Sequence, residues 1–104
     1  MKIAFLLQNL NQESDSVGYD CIFQYKFIEE IYKENVELKI FSVVFNKKIH
    51  KGIEINKFSE FWDYIENNPD AHIIYHFCDG WIDVDSFIMK SPEKFIVRWH
   101  NNTP

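Results

Sequence analysis

The run KIAFLLQNL, from Lys2 to Leu10, decides the fold class of this chain. Its apolar residues are continuous from Ile3 to Leu7 and do not alternate with polar ones. That pattern is typical of a strand covered on both faces, which occurs almost only in parallel sheets flanked by helices. Outward from this run, the sequence should therefore show helices alternating with further buried strands.

Helical patterns and strand-like runs do alternate along the rest of the chain. The predicted helices are 19–36, 59–68 and 83–90, and the predicted strands after the first are 36–45, 71–77 and 94–100. A short extended piece, 52–58, precedes the second helix, for which Ser59 is a candidate N-cap; Asp15 and Ser16 are candidates to cap the first. The order predicts an α/β fold: a Rossmann-like, three-layer parallel sheet of about four strands with helices on both faces.

Length, charge and cysteine content narrow the class of protein. The 104 residues fit one domain, and a net charge of -5 argues against a nucleic-acid partner, which needs clustered Lys and Arg. The basic segment 46–51 is either a solvated loop or a weak contact for anionic lipids. We expect a cytoplasmic protein with reduced thiols, because no signal peptide or membrane span is found and Cys21 and Cys78 match no metal or redox spacing.

Polar residues gather after the predicted strands. Such residues follow the first strand (Gln8, Asn9, Asn11 and Gly18), the third (76–80) and the last (98–103). In parallel sheets, ligands bind outside the carboxyl ends of the strands, where the strand order reverses. The sequence therefore predicts a binding site at this edge.

Three segments together resemble the amino-terminal domain of glycosyltransferase family 4, the retaining sugar transferases with a GT-B fold. They are SDSVGYDCIFQYKFIEEI (14–31), HIIYHFCDGW (72–81) and FIVRWHNNTP (95–104). The last is the most specific, since one bacterial branch of that family carries Arg-Tyr/Trp-His-Asn-Xaa-Thr-Pro-Pro at this place. The resemblance spans nearly the whole chain, with the motifs in the family's order.

This resemblance implies a function for a longer protein. The enzyme would transfer a sugar from a nucleotide-sugar donor to a glycan or lipid-linked acceptor, without a metal or other cofactor. Its setting would be surface-polysaccharide assembly in the bacterial cytoplasm, with possible peripheral association at the inner membrane. Nothing in residues 1–104 matches the family's carboxyl-terminal, donor-binding domain. We therefore expect a truncated amino-terminal domain that is inactive alone.

The resemblance also assigns roles to individual residues. His100 is the predicted catalytic residue, facing the transferred sugar and helping to stabilise an oxocarbenium-like transition state. The predicted substrate-binding residues are Gly18, His76, Asp79, Gly80, Asn101, Asn102 and Thr103. Structural alternatives stay open: a strand-end histidine that satisfies local backbone for His100, a helix-entry glycine for Gly18, a core histidine for His76, and a turn for 101–103.

Five neighbouring residues receive other interpretations. Arg98 is expected to be structural, and Asp20 to favour a helix amino terminus. Trp81 is either a sugar-stacking platform or a packing residue. Asp83 and Asp85 form the Asp-Xaa-Asp spacing of metal-dependent transferases, but their position predicts a helix start.

Two alternatives from other classes stay open. One alternative is a stand-alone flavodoxin-like binding domain. The other is a non-catalytic subunit that pairs with a separately encoded chain. A receiver domain is disfavoured, because Gln8 and Asn9 stand where an acidic cluster is needed. If the chain is a truncated domain, its uncovered last strand would expose a sheet edge and apolar surface, and we expect self-association of the fragment.

Overall fold

The computed structural model describes residues 1–10, 16–46, 52–77 and 81–99. These residues contain five strands and three α-helices. In chain order they are β1 (Lys2–Leu10), α1 (Ser16–Tyr32), β2 (Glu37–Phe45), β3 (Ile55–Lys57), α2 (Phe61–Asn67), β4 (His72–Phe77), α3 (Ile82–Lys90) and β5 (Phe95–Trp99). Short 3-10 turns precede β2, α2 and β5.

The strands form one sheet in the order β3-β2-β1-β4-β5, and every pairing is parallel. The predicted α/β, Rossmann-like architecture is confirmed. The sheet has a fifth strand, β3, where the sequence predicted only an extended piece. β3 is three residues long and pairs with β2 from Ile40↔Ile55 to Ser42↔Lys57. It was missed because so short a strand has no apolar run or alternation to mark it.

The central strand β1 explains why its sequence is continuously apolar. Phe5 packs in a cluster on one face of the sheet with Cys21 of α1. Its neighbour Leu6 belongs to the cluster on the other face, with Phe61 of α2 and Val84 of α3. All five of these residues are fully buried. From Ile3 to Leu7, successive residues of β1 therefore enter alternate cores, and neither face of this stretch reaches water.

Aromatic rings build the core under α2 and α3. Phe41 of β2 lies edge-on to Phe61, with ring centroids 5.5 Å apart. Trp81 packs against Phe58 at 4.5 Å and against Tyr75 at 6.1 Å. Trp81 is thus part of the aromatic core, which agrees with the packing interpretation of this residue.

Two helices begin at residues other than those that the sequence predicts. Helix α1 starts at Ser16, so Gly18 lies inside its first turn and does not precede it. The predicted N-cap Ser59 is wrong: it lies within a 3-10 turn, and α2 starts at Phe61 with Glu60 at the cap position and no side-chain cap hydrogen bond. The stacking of Phe58 on Phe61, at 5.9 Å, accompanies this tighter entry into the helix. Asp15 lies outside the described residues.

The residue that follows helix α1 has an unusual backbone conformation. Lys33, which follows Tyr32, has a φ of 50° in the left-handed region. Helices often end in this conformation, but the residue there is usually glycine, because a Cβ is disfavoured. The α1 terminus therefore carries local backbone strain at Lys33.

Replacing Lys33 with glycine should stabilise the protein. We expect Lys33→Gly to raise the free energy of unfolding by about 1 kcal/mol, because glycine adopts positive φ without a steric penalty. Lys26→Gly, the same substitution inside α1, should lower it by about 1 kcal/mol. Denaturant unfolding followed by circular dichroism measures both. Two changes of the same sign would contradict the assignment of strain to Lys33.

Candidate functional site

The candidate site lies where the strand order reverses. From β1 the chain passes through α1 to β2 on one side, while β4 lies on the other side of β1. The connections therefore leave β1 and β4 in opposite directions, which opens a crevice at their carboxyl ends. The amino terminus of α1 and the ends of β4 and β5 all lie at this edge because the strands are parallel.

Asp20 and Arg98 form a two-point ion pair at this edge. Arg98, near the end of β5, donates from Nε to Asp20 Oδ2 and from Nη2 to Asp20 Oδ1, the latter at 3.1 Å. Asp20 lies in α1 with its side chain 21% exposed, while that of Arg98 is 50% exposed. The hydrogen bond to Asp20 and its negative charge raise the pKa of the Arg98 guanidinium. This geometry joins α1 to β5 and keeps a positive charge at the edge of the site.

His76 shares the same carboxylate. It is the penultimate residue of β4, its side chain is fully buried, and it is paired in register with Arg98 on β5. Its Nδ1 lies 3.5 Å from Asp20 Oδ2, longer than an ideal hydrogen bond and within reach of an ion pair when the imidazole is protonated. The ring is 6.2 Å from that of Phe5. Asp20 thus stands between an imidazole and a guanidinium.

Gly18 lies two residues before Asp20, buried in the first turn of α1. The first turn of a helix has backbone N–H groups without intrahelical partners, and the helix dipole favours negative charge there. A glycine at this position adds no side chain between those groups and the crevice. Both interpretations of Gly18, ligand approach and plain helix entry, are compatible with this placement.

His100, Asp79, Gly80, Asn101, Asn102 and Thr103 lie outside the described residues. Gly18 and His76 are brought to the same edge, as the sequence predicted for the ends of β1 and β4.

Sequence reasoning missed the partnership of Asp20 with His76 and Arg98. It assigned Asp20 to the helix terminus alone and Arg98 to a structural role within its strand. A signal was present: one acidic and one basic residue were both predicted at the carboxyl edge, on adjacent layers. Pairing opposite charges across that edge would have found the cluster.

The arrangement suits the recognition of a polar or anionic ligand. A carboxylate accepts hydrogen bonds from sugar hydroxyls, an imidazole can donate or accept them, and a guanidinium recognises phosphate oxygens. Arg98 uses one side of its guanidinium for Asp20, and the half-exposed remainder keeps further N–H donors. Hydroxyl and phosphate chemistry are therefore both within the capacity of this cluster.

Cys21, which follows Asp20, has no nucleophilic role in this arrangement. Its side chain is fully buried. Burial, and secondarily the charge of Asp20, raise the pKa of its thiol well above the ordinary value of 9.0. The thiol stays protonated at neutral pH, and a thiolate is the reactive form.

The Asp-Xaa-Asp pair lies at a helix start, as predicted. Both residues lie in the first turn of α3. The carboxylate of Asp85 accepts a hydrogen bond from the backbone N–H of Trp81 at 3.0 Å and another from the Tyr75 hydroxyl at 3.3 Å. Among residues 1–10, 16–46, 52–77 and 81–99, no group of three or more His, Cys, Asp or Glu is placed to hold a metal ion.

Comparison with known proteins identifies no relative. The chain matches no protein-family model, no curated protein and no solved structure. The resemblance to family 4 glycosyltransferases therefore stays a prediction carried by three motifs. In the part of the chain that the structure describes, no helix is both long enough and apolar enough to cross a membrane.

A double-mutant cycle should detect the Asp20–Arg98 pair. We expect Asp20→Asn and Arg98→Gln each to lower the free energy of unfolding, with a coupling energy of about 1 kcal/mol. This coupling energy is above the median for exposed ion pairs because Arg98 donates two hydrogen bonds to Asp20 and because the Asp20 side chain is mostly buried. Chemical denaturation of the wild type, both single variants and the double variant supplies the cycle. Additive effects of the two substitutions would show that the pair contributes nothing.

Stability should fall at alkaline pH because of Cys21. Its pKa is raised in the folded state, and burial also raises the pKa of Tyr25 and Tyr64 above the ordinary value of 10.0. Above about pH 9 the unfolded chain loses protons that the folded state keeps, so the free energy of unfolding decreases as pH rises. Cys21 alone contributes a slope approaching about 1.4 kcal/mol per pH unit.

Denaturant unfolding at pH 7, 9 and 10 in the presence of a reductant measures this slope. Cys21→Ala should be less stable at pH 7, because it leaves a small cavity, and should lose stability less steeply between pH 9 and 10. An unchanged slope in Cys21→Ala would assign the alkaline sensitivity to the tyrosines instead.

Proposed function

We propose that this chain forms the acceptor-side domain of a retaining GT-B glycosyltransferase similar to family 4. The complete enzyme transfers a sugar from a nucleotide-sugar donor to a glycan or lipid-linked acceptor, in the assembly of a surface polysaccharide. The proposal places it in the cytoplasm, with peripheral association at the inner face of the cell membrane. It requires a donor-binding domain, either later in the same polypeptide or on a partner chain.

One observation carries the proposal. Two of the three motifs on which the resemblance rests contribute Gly18, Asp20 and His76, and the third contributes Arg98. These segments are far apart in sequence, yet Asp20, His76 and Arg98 are in contact at the carboxyl edge of the sheet. A ligand bound between α1, β4 and β5 would contact residues from all three elements, and the structure brings such residues together at this edge.

The chemistry of the transfer gives these residues distinct roles. The bond between the anomeric carbon and the diphosphate oxygen breaks, and the diphosphate leaves with the electron pair. The acceptor hydroxyl oxygen forms the new bond on the same face of the sugar and gives its proton to the departing diphosphate. In the proposal, His100 contacts the transferred sugar as positive charge develops on its ring. Asp20 positions Arg98 and His76 on the neighbouring strands, and Gly18 opens the helix amino terminus to the ligand.

Residues 79–80 and 101–103 complete the proposed substrate contacts. Asp79 and Gly80 follow β4, and Asn101, Asn102 and Thr103 follow β5 in the sequence. Amide, carboxylate and hydroxyl side chains of this kind are suited to bonding sugar hydroxyls. Neutralisation of the leaving diphosphate falls to the donor-binding domain, so the proposed enzyme works without a metal.

The test is an activity assay of the longest reading frame that contains this sequence, or of this chain with its co-encoded partner. Release of nucleoside diphosphate from a panel of nucleotide sugars is followed with membranes or glycans of the source cell as acceptor. We expect activity that survives chelation of divalent cations. His100→Ala should lower kcat by about 100-fold or more, which is the loss expected for a group aimed at developing charge.

The chain offers a matched control for this substitution. His72 is an exposed histidine at the start of β4, at the opposite edge of the sheet from the candidate site. His72→Ala should leave kcat within about twofold of the wild type, as expected of an exposed residue away from the chemistry. Equal losses in the two variants, or no diphosphate release with any donor, would reject the assignment of the site.

A further inference from the structure

Helix α1 carries a row of exposed apolar side chains. Tyr19, Phe23, Phe27 and Ile31 are spaced four residues apart, and their exposed fractions are 67%, 59%, 57% and 55%. The rings of Phe23 and Phe27 are stacked with centroids 6.5 Å apart. We call these four residues the outer row. Residues four apart form a continuous ridge along a helix surface.

The outer row points away from the sheet. Val17 and Cys21 are buried in the core beneath α1, with Tyr25 packed against the same cluster. Tyr19, Phe23 and Phe27 each follow a residue of this inner row by two positions, which is about 200° around an α-helix. These three residues are therefore turned away from the core, on the side where a helix covering a sheet normally presents polar residues, and Ile31 extends their ridge by one more step of four residues.

The exposed apolar area of the outer row is large and continuous. Aromatic and branched side chains of this size present on the order of 200 Å² each, so the four exposed fractions amount to roughly 450–500 Å². That value lies towards the upper end of the largest apolar patch on a typical monomer, and such patches mark interaction sites. Pairing two such rows would bury about 1,000 Å², which is the size of a weak, reversible interface.

Charges beside the outer row favour another copy of this chain over a lipid surface. Across α1 and the turn that follows it, Asp20, Glu29, Glu30 and Glu34 outnumber Lys26 and Lys33. An acidic helix is repelled by anionic lipids, which attract basic segments. Lys26 and Glu30 are exposed one position before Phe27 and Ile31, so they form a row beside the ridge with one charge of each sign. An antiparallel pair of α1 helices brings Lys26 of each copy towards Glu30 of the other.

We propose that two copies of this chain associate through the outer row of α1. The two helices pack antiparallel around a two-fold axis midway between Lys26 and Glu30, beside Phe27, with the ridge of each lying in a groove of the other. Ridges of residues four apart pack at a crossing angle of about -50°.

Sedimentation velocity over a concentration series tests this proposal. The wild type should show a reversible monomer–dimer equilibrium with a dissociation constant on the order of 10–100 μM. Phe23→Ser should weaken the dimer by about 100-fold or more, because a two-fold interface contains each substitution twice. Circular dichroism should show that the variant is folded, since Phe23 is exposed.

Two controls make the assignment specific. Met89→Ser removes another exposed apolar side chain, 83% exposed on α3, and should leave the dissociation constant unchanged. Lys26→Glu should weaken the dimer through like charges, and adding Glu30→Lys to it should restore the opposite pairing and most of the affinity. Recovery in the double variant is expected only if the two helices face each other.

Three outcomes would overturn the proposal. A wild type that sediments as a monomer at every concentration would show that the proposed dimer does not form. Dissociation by Ile96→Ser on the exposed strand β5, with no effect of Phe23→Ser, would assign association to the sheet edge. A monomer that sediments with vesicles of phosphatidylethanolamine and phosphatidylglycerol, and loses this binding in Phe23→Ser, would assign the outer row to a bilayer.

Discussion

Burial of β1 on both faces is the constraint on which the rest of the structure depends. A strand with Phe5 in one core and Leu6 in the other must have helices on both sides of its sheet. Parallel pairing then follows with β2 and β4, because the helices that cover the faces also return the chain to the same end of the sheet. The carboxyl ends of the strands are therefore collected at one edge, and every candidate site residue described by the structure lies there.

The position of this edge follows from the order of the strands. The contact of Asp20 with both His76 and Arg98 is the feature that makes the edge a candidate site. Without Asp20, a buried imidazole and a half-exposed guanidinium would lie on adjacent strands with no anion between them. The carboxylate offsets the like charge that protonated His76 and Arg98 would place side by side, and it ties the first helix to the last described strand. The cluster has the hydrogen-bonding capacity that a transferase would need for a sugar or its phosphates, which is the basis of the proposed function.

The two helical layers differ in where their large apolar side chains lie. The layer of α2 and α3 is held by interlocking rings, among them Trp62 with Phe87 at 5.3 Å and Phe87 with Phe95 at 5.6 Å. The layer of α1 packs Ile22, Tyr25 and Ile28 against the core and also leaves the four large apolar residues of the outer row exposed. A helix that only covers a sheet carries polar residues on its outer side. The second apolar side of α1 is the reason to treat its outer surface as functional.

The sequence by itself determined the fold class, because a continuous apolar run and alternating helical periods leave few arrangements other than a parallel sheet between helices. It also determined that polar residues such as Gly18 and His76 would meet at one edge, since parallel strands end on the same side. Only the tertiary structure decided that β3 adds a fifth strand, because three residues carry no periodic signal. Only the tertiary structure could pair Asp20 with Arg98, since their 78-residue separation is closed by the order of strands in the sheet and by no local pattern.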